Sequence, residues 1–266
     1  MATVFDTFAN PARFEALSKR LAPFCLISAL LLIVIATPLA LAFSPADYQQ
    51  GDAVRIKYVH VPAAWLATLA FTFMAAMSAI AFVWRHPIAD EAAKSAAPVG
   101  LAMTGLTLFT GAIWGKPMWG AWWVWDVRLT SALVLFFIYL GYLAVWDAVE
   151  DRTKAAKYAR LVALTGFINV PIVKFSVDWW NSLHQPASII RMDGPTIHSS
   201  MLTPLLMMIL AYSLFFGWFV LTGVEASILE TRAQRRVAPT PTPSTMTEAP
   251  RQPLADAASD TARANG

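Results

Sequence analysis

Apolar residues in this chain come in long unbroken runs, with the polar positions gathered between them. A membrane-crossing helix needs about 20 mostly apolar residues at about 1.5 Å each. Six runs reach or approach that length: Leu21–Phe43, Val61–Trp84, Ala96–Ile113, Leu129–Trp146, Leu161–Val177 and Leu202–Thr222. The fold class predicted is an all-α polytopic membrane protein with six transmembrane helices. The fifth run is interrupted by Asn169, Pro171 and Lys174, and Pro171 predicts a kink inside that helix. The first run is too long for the apolar core of a signal peptide, although Ala-Leu-Ala at 40–42 resembles a cleavage site, so it reads as an uncleaved span. Three regions follow: an N-terminal segment 1–20, a membrane domain 21–225 with a Trp-rich loop 114–128, and a tail 226–266. The tail is rich in Pro, Thr, Ala and Arg from residue 231 and reads as disordered.

Composition agrees. The chain has 266 residues, 57% hydrophobic and only 14% charged, whereas soluble domains run near a quarter charged. Mean hydropathy is +0.52. The net charge of +3 does not mark a nucleic-acid binder, because the basic residues lie between apolar runs rather than on one soluble face. They choose an orientation instead. Twelve Lys and Arg flank the N-terminus, the second and fourth loops and the C-terminal end, against five (Arg55, Lys57, Lys116, Arg128, Arg191) on the other side. The positive-inside rule then puts both termini in the cytoplasm. Cys25 stands alone, so there is neither an internal disulfide nor a Cys-based zinc site.

Six spans also force loops 44–60, 114–128 and 178–201 onto one face, whichever way the chain is oriented. The middle loop carries Trp114, Trp119, Trp122, Trp123 and Trp125, five of the 11 Trp in the chain. Trp119, Trp122 and Trp123 follow i, i+3, i+4 spacing and predict one aromatic face if the stretch is helical. Two readings fit: an interfacial aromatic belt, or a shelf for a large flat ligand. Gly115-Lys116 is no phosphate loop, since Thr110 stands where the first Gly is required and Pro117 follows the Lys.

The flanking loops add Tyr58-Val-His60-Val-Pro62, with Pro62 in the first turn of the second span, and Leu183-His184-Gln185. Two imidazoles beside a flat aromatic floor suit a six-coordinate haem iron, and structural histidines are the competing reading. His86 lies on the opposite face. His198 is an outside candidate. Arg55, Lys57 and Arg128 suit haem propionates, lipid phosphates or acidic loop residues equally. Asp126 is placed to N-cap the fourth span, or to pair with Arg128 or a Trp N–H. Other readings of the chain are a membrane b-type cytochrome, a cofactor-free permease, and a scaffold subunit of a transporter. The b-type cytochrome is weakened because no His lies mid-span; the permease wants polar residues near the midplane, where only Asn169 and Lys174 offer themselves.

The pattern W-G-x-x-W-G-x-W-W-x-W-D over 114–126, with Tyr58-Val-His60-Val-Pro62-Ala-Ala, Leu183-His184-Gln185 and six spans, resembles the haem exporter protein C (CcmC) family of cytochrome c maturation. The resemblance covers roughly residues 20–225 and includes the tryptophan-rich WWD signature of haem-handling proteins. It implies a non-enzymatic protein of the bacterial inner membrane that holds haem b at the periplasmic face. It implies delivery to the haem chaperone CcmE, beside the ABC-type subunits CcmA and CcmB and the small subunit CcmD. Carried onto this chain, His60 and His184 become the axial iron ligands. Trp114, Trp119, Trp122, Trp123, Trp125 and Asp126 become the shelf and the chaperone contact.

Overall fold

The computed structural model describes residues 10–180, 182–185, 188–189 and 191–237. Among these, the chain is helical, with one isolated bridge, Asp47 to Gly51, in the first loop. Helix α1 spans Pro11–Pro38 and ends in a wider π turn, Leu39–Phe43. A 3-10 turn, Asp52–Ile56, leads into α2, Lys57–Trp84. Then come α3, Ala89–Trp119, α4, Val127–Ala148, α5, Arg152–Gly166, α6, Asn169–Trp179, and α7, Ser199–Val237. Six stretches are long and apolar enough to cross a membrane, with α5 and α6 forming one of them. The protein is a multi-pass membrane protein.

Each helix outruns its apolar stretch because polar residues set its ends. Asn10 caps α1 by accepting from the Ala12 N–H, with Pro11 at the first helical position, where its missing N–H costs nothing. Asp126 caps α4 through the Leu129 N–H, and Asp151 caps α5 through the N–H groups of Thr153 and Lys154. Three boundaries depart from the sequence reading. Helix α2 begins at Lys57, so Pro62 is its sixth residue rather than its start. His60 therefore stands on the first turn of the helix, not before it. The fifth span breaks at Phe167–Ile168, with Pro171 in the first turn of α6. The proline removes the bond its own N–H would make to the carbonyl of Phe167, which instead accepts from Val170 at 3.0 Å. Helix α7 runs to Val237, past the boundary placed at 225; the tail from 238 onward lies outside the described residues. Contacts divide the chain after Ile228, and residues up to that point form one packed unit.

The core of that unit is built by close approach of α2, α3 and α4. Tyr139 of α4 is fully buried and donates its hydroxyl proton to the Ala67 carbonyl of α2 at 2.7 Å. Its ring lies over Gly100 of α3, where an added Cβ would fall 2.2 Å from it. A buried phenol needs such a partner, and only glycine admits it here. Phe71 meets Tyr139 edge-on at 5.0 Å.

The two ends of the bundle differ. At one end, Asp90 of α3 holds Arg160 of α5 through both guanidinium nitrogens, and Glu91 accepts from Arg152 and from Ser227 of α7. Ser18 of α1 donates to Glu225. At the other end the three predicted loops meet. Trp114 of α3 donates to Gln50 of the first loop, Asp126 accepts from Ser182 of the last, and Lys57 reaches the Met201 sulfur. Loop parity is thus realised as contact.

Candidate functional site

His60 and His184 come together at this loop-bearing end. Their ring centroids lie 6.4 Å apart, with the planes inclined by 32°. His60 is positioned by a helix: α2 carries it against α3, and its Nδ1 lies 3.0 Å from the Thr110 hydroxyl. Gly111 permits that approach, since a Cβ there would stand 3.3 Å from the His60 Cε1.

His184 is positioned by a loop. Asp126 ends the Trp-rich segment and uses both carboxylate oxygens. Oδ1 accepts from Leu129 N–H at 2.7 Å and Oδ2 from the Ser182 hydroxyl at 2.6 Å. The Ser182 oxygen in turn accepts the His184 backbone N–H at 3.1 Å. The capping role read from the sequence is borne out, and the same side chain anchors the loop that bears His184.

Around that ring the tryptophans do not form one face. Gly120 adopts φ of +75° and ends α3 at Trp119, so 119–123 is not helical, and the i, i+3, i+4 expectation fails. The positive φ suits glycine and closes the helix with its N–H on the Lys116 carbonyl. Trp119 turns to His184 at 5.2 Å and meets Trp114 edge-on at 5.1 Å, while Trp114 lies 6.3 Å from His184. Trp123 pairs with Trp125 at 5.5 Å, and Trp122 and Trp125 are exposed. One pair therefore walls the imidazole, and Trp122 and Trp125 face outward. An open cavity of about 530 Å³ adjoins them, lined by Trp125, Asp126, Trp180, Ser182 and Leu183.

The flanking cations are engaged with the protein. Arg55 donates to the carbonyls of Leu41 and Ser44 and pairs with Asp52, leaving its buried Nε without a partner among the described residues. Arg128 donates to Ser176 and to the Lys174 carbonyl. Burial, then the nearby charge of Arg128, holds the His184 imidazole down to about 4, against an opposing pull from Asp126. It is thus a neutral base at physiological pH. His198 caps the start of α7 through Ser200 and is exposed, and His86 accepts from the Ile88 N–H ahead of α3. Neither joins the pair. Thr110, Gln50 and Ser182 were invisible to motif reading, because each is a common polar residue whose partner lies far away in sequence.

The two rings, 6.4 Å apart, bring two imidazole donors to one place. The His184 Nδ1 is buried and has no hydrogen-bond partner among the described residues, a vacancy unusual for a buried polar atom. No group of three or more His, Cys, Asp or Glu among the described residues is placed to hold a bare ion. Two imidazoles meeting in one place are a donor set that fits a haem iron.

Comparison with known proteins decides the family. The profile of the heme exporter protein C family matches residues 4–239. The chain belongs to the heme exporter protein C family. It is 49% identical over 232 residues to heme exporter protein C of Bradyrhizobium diazoefficiens, covering 87% of this chain and 88% of that one. The Haemophilus influenzae protein of the same name is 42% identical over 228 residues, 86% of this chain and 93% of its own. That of Escherichia coli is 40% identical over 221 residues, 83% and 89%. The match to the heme exporter protein C profile includes the whole of α7, beyond the stretch that the sequence motifs cover.

Proposed function

We propose that this protein holds haem as cargo at the loop-bearing membrane face and presents it for transfer, without catalysing a reaction of its own. The observation that carries the proposal is the meeting of His60, on the first turn of α2, with His184 of the last loop, their ring centres 6.4 Å apart. Membership of a family named for haem export supplies the cargo's identity. Trp114 and Trp119 would wall the His184 side. The exposed Trp122 and Trp125, with Trp123 behind them, would offer the contact for the receiving chaperone, CcmE. Arg55 and Arg128 would meet the propionates, once their present contacts yield. The cargo is haem b, the partners are the export subunits CcmA, CcmB and CcmD, and the pathway is cytochrome c maturation. By the positive-inside count, both termini are cytoplasmic, the loop-bearing face is periplasmic, and the membrane is the bacterial inner membrane. The domain division is an N-terminal segment, a membrane bundle and a tail.

The mechanism follows from the holding geometry. Burial keeps the His184 imidazole neutral, so it offers a nitrogen lone pair. His184 is the less tightly tied of the two, because its Nδ1 has no hydrogen-bond partner among the described residues. The test is the visible spectrum of protein purified from haem-replete cells, beside His60→Ala and His184→Ala. A haem spectrum lost in both variants supports the reading; a colourless wild type, or haem unchanged in both, overturns it. Activity of a cytoplasmic reporter fused after Arg236 tests the orientation, and activity of a periplasmic one there reverses it.

A further inference from the structure

We propose that Thr110 is a positioning residue for the cargo iron, setting which nitrogen of His60 carries the lone pair. The inference rests on the axial-ligand reading above. A threonine hydroxyl has one proton to give. That of Thr110 points back along α3, 2.7 Å from the Leu106 carbonyl and 3.3 Å from that of Thr107. This back-bonding occupies the proton. The oxygen can then meet the His60 Nδ1, 3.0 Å away, only as an acceptor. His60 must be the donor. A neutral imidazole has a single N–H, so Nδ1 is protonated and Nε2 keeps the lone pair. Gly111, one residue on, lets α3 lie against the same Nδ1–Cε1 edge of the ring, which directs that edge to α3. Thr104 and Thr107 bond back along α3 in the same way, and of the three only the Thr110 hydroxyl also meets the His60 ring. That hydroxyl gains purpose from the ring across the helix interface.

His184 has no equivalent. Among the described residues its Nδ1 is buried without a partner, and its main-chain N–H donates to Ser182. One ligand is oriented by its ring, and the other by its backbone. An Nδ1–H···O bond also makes the opposite nitrogen more basic, which favours ferric over ferrous iron and lowers the potential of the bound haem.

The decisive variants are Thr110→Val, which keeps the shape and removes the acceptor, and Thr110→Ser, which restores it. In purified haem-loaded protein, Thr110→Val is expected to weaken haem retention by about 10-fold or more, the usual effect of losing a ligand's outer partner. Its reduction potential should rise, and Thr110→Ser should return both values to the wild type. A merely structural threonine would move neither the potential nor the serine rescue. In haem-free protein, histidine nitrogen NMR should show His60 protonated at Nδ1, and a mixture of tautomers in Thr110→Val. That measurement decides the matter even where Thr110→Val binds no haem. Wild-type retention and potential in Thr110→Val, or an Nε2–H tautomer in the wild type, overturns the inference. If His60→Ala loses its haem while Thr110→Val behaves as wild type, this inference alone fails. If His60→Ala keeps haem with an unchanged spectrum, the axial-ligand reading fails and takes this one with it.

Discussion

His60 and His184 share one site but are held in contrasting ways. His60 is carried by the first turn of α2, pressed against α3 at Gly111 and hydrogen-bonded by Thr110. His184 lies in a loop tethered through Ser182 to Asp126, with Trp114 and Trp119 packed beside its ring. A helix position backed by a neighbouring helix moves little, whereas loop segments draw on the low-stability end of a structure. For a protein that must both hold and release a ligand, the contrast assigns retention to the helix-borne imidazole and release to the loop-borne one.

The largest effect should come from attacking the rigid half. Gly111→Leu inserts a side chain where even a Cβ stands 3.3 Å from His60. Haem content of the purified variant should fall to the level of His60→Ala although both histidines remain. Wild-type content would mean that α3 does not hold His60 in place.

Next comes the anchor of the flexible half. Asp126→Ala removes a helix cap, worth about 1 kcal/mol, together with the Ser182 tether. Hydrogen exchange of the loop after Trp180 should quicken and haem should leave faster, with α2 unaffected. Ser182→Ala should reproduce the loop effect without loosening α4; equal exchange rates in both variants and the wild type would dissolve the contrast.

Acidity probes the same half. The folded His184 takes a proton only near pH 4, while an opened, solvated loop takes one near the ordinary value of 6.5. The closed loop is therefore fully favoured above about pH 6.5 and loses that advantage as pH falls toward 4. Haem release should be flat with pH above 6.5 and accelerate below it. Acceleration on raising the pH would contradict the assignment. The smallest change is Gln50→Ala, which strips the Trp114 indole N–H of its 3.1 Å acceptor. It should cost about 1 kcal/mol in thermal unfolding and leave the haem spectrum nearly unchanged.

Much of this architecture was readable from apolar runs. Their lengths dictate six spans, and six spans dictate that the loops bearing His60, the tryptophans and His184 share a face. Asp126 was readable as a cap because a short carboxylate ahead of an apolar run has few other uses. The single aromatic face did not form, because i, i+3, i+4 spacing presupposes a helix that Gly120 ends at Trp119. Pro171 was legible as a kink within one helix, whereas the helix breaks one turn upstream of it, at Phe167–Ile168.

Local chemistry thus determined which segments cross the membrane, where helices start, and which residue types gather at one face, since each depends on desolvation or on a neighbour within a few positions. The tertiary structure alone decided that the two imidazoles stand 6.4 Å apart, that Thr110 meets one and Ser182 tethers the other, and that the tryptophans divide. Those outcomes depend on the rotation and depth of whole helices against one another. Packing such as Tyr139 against Gly100 sets these, and no local pattern records them.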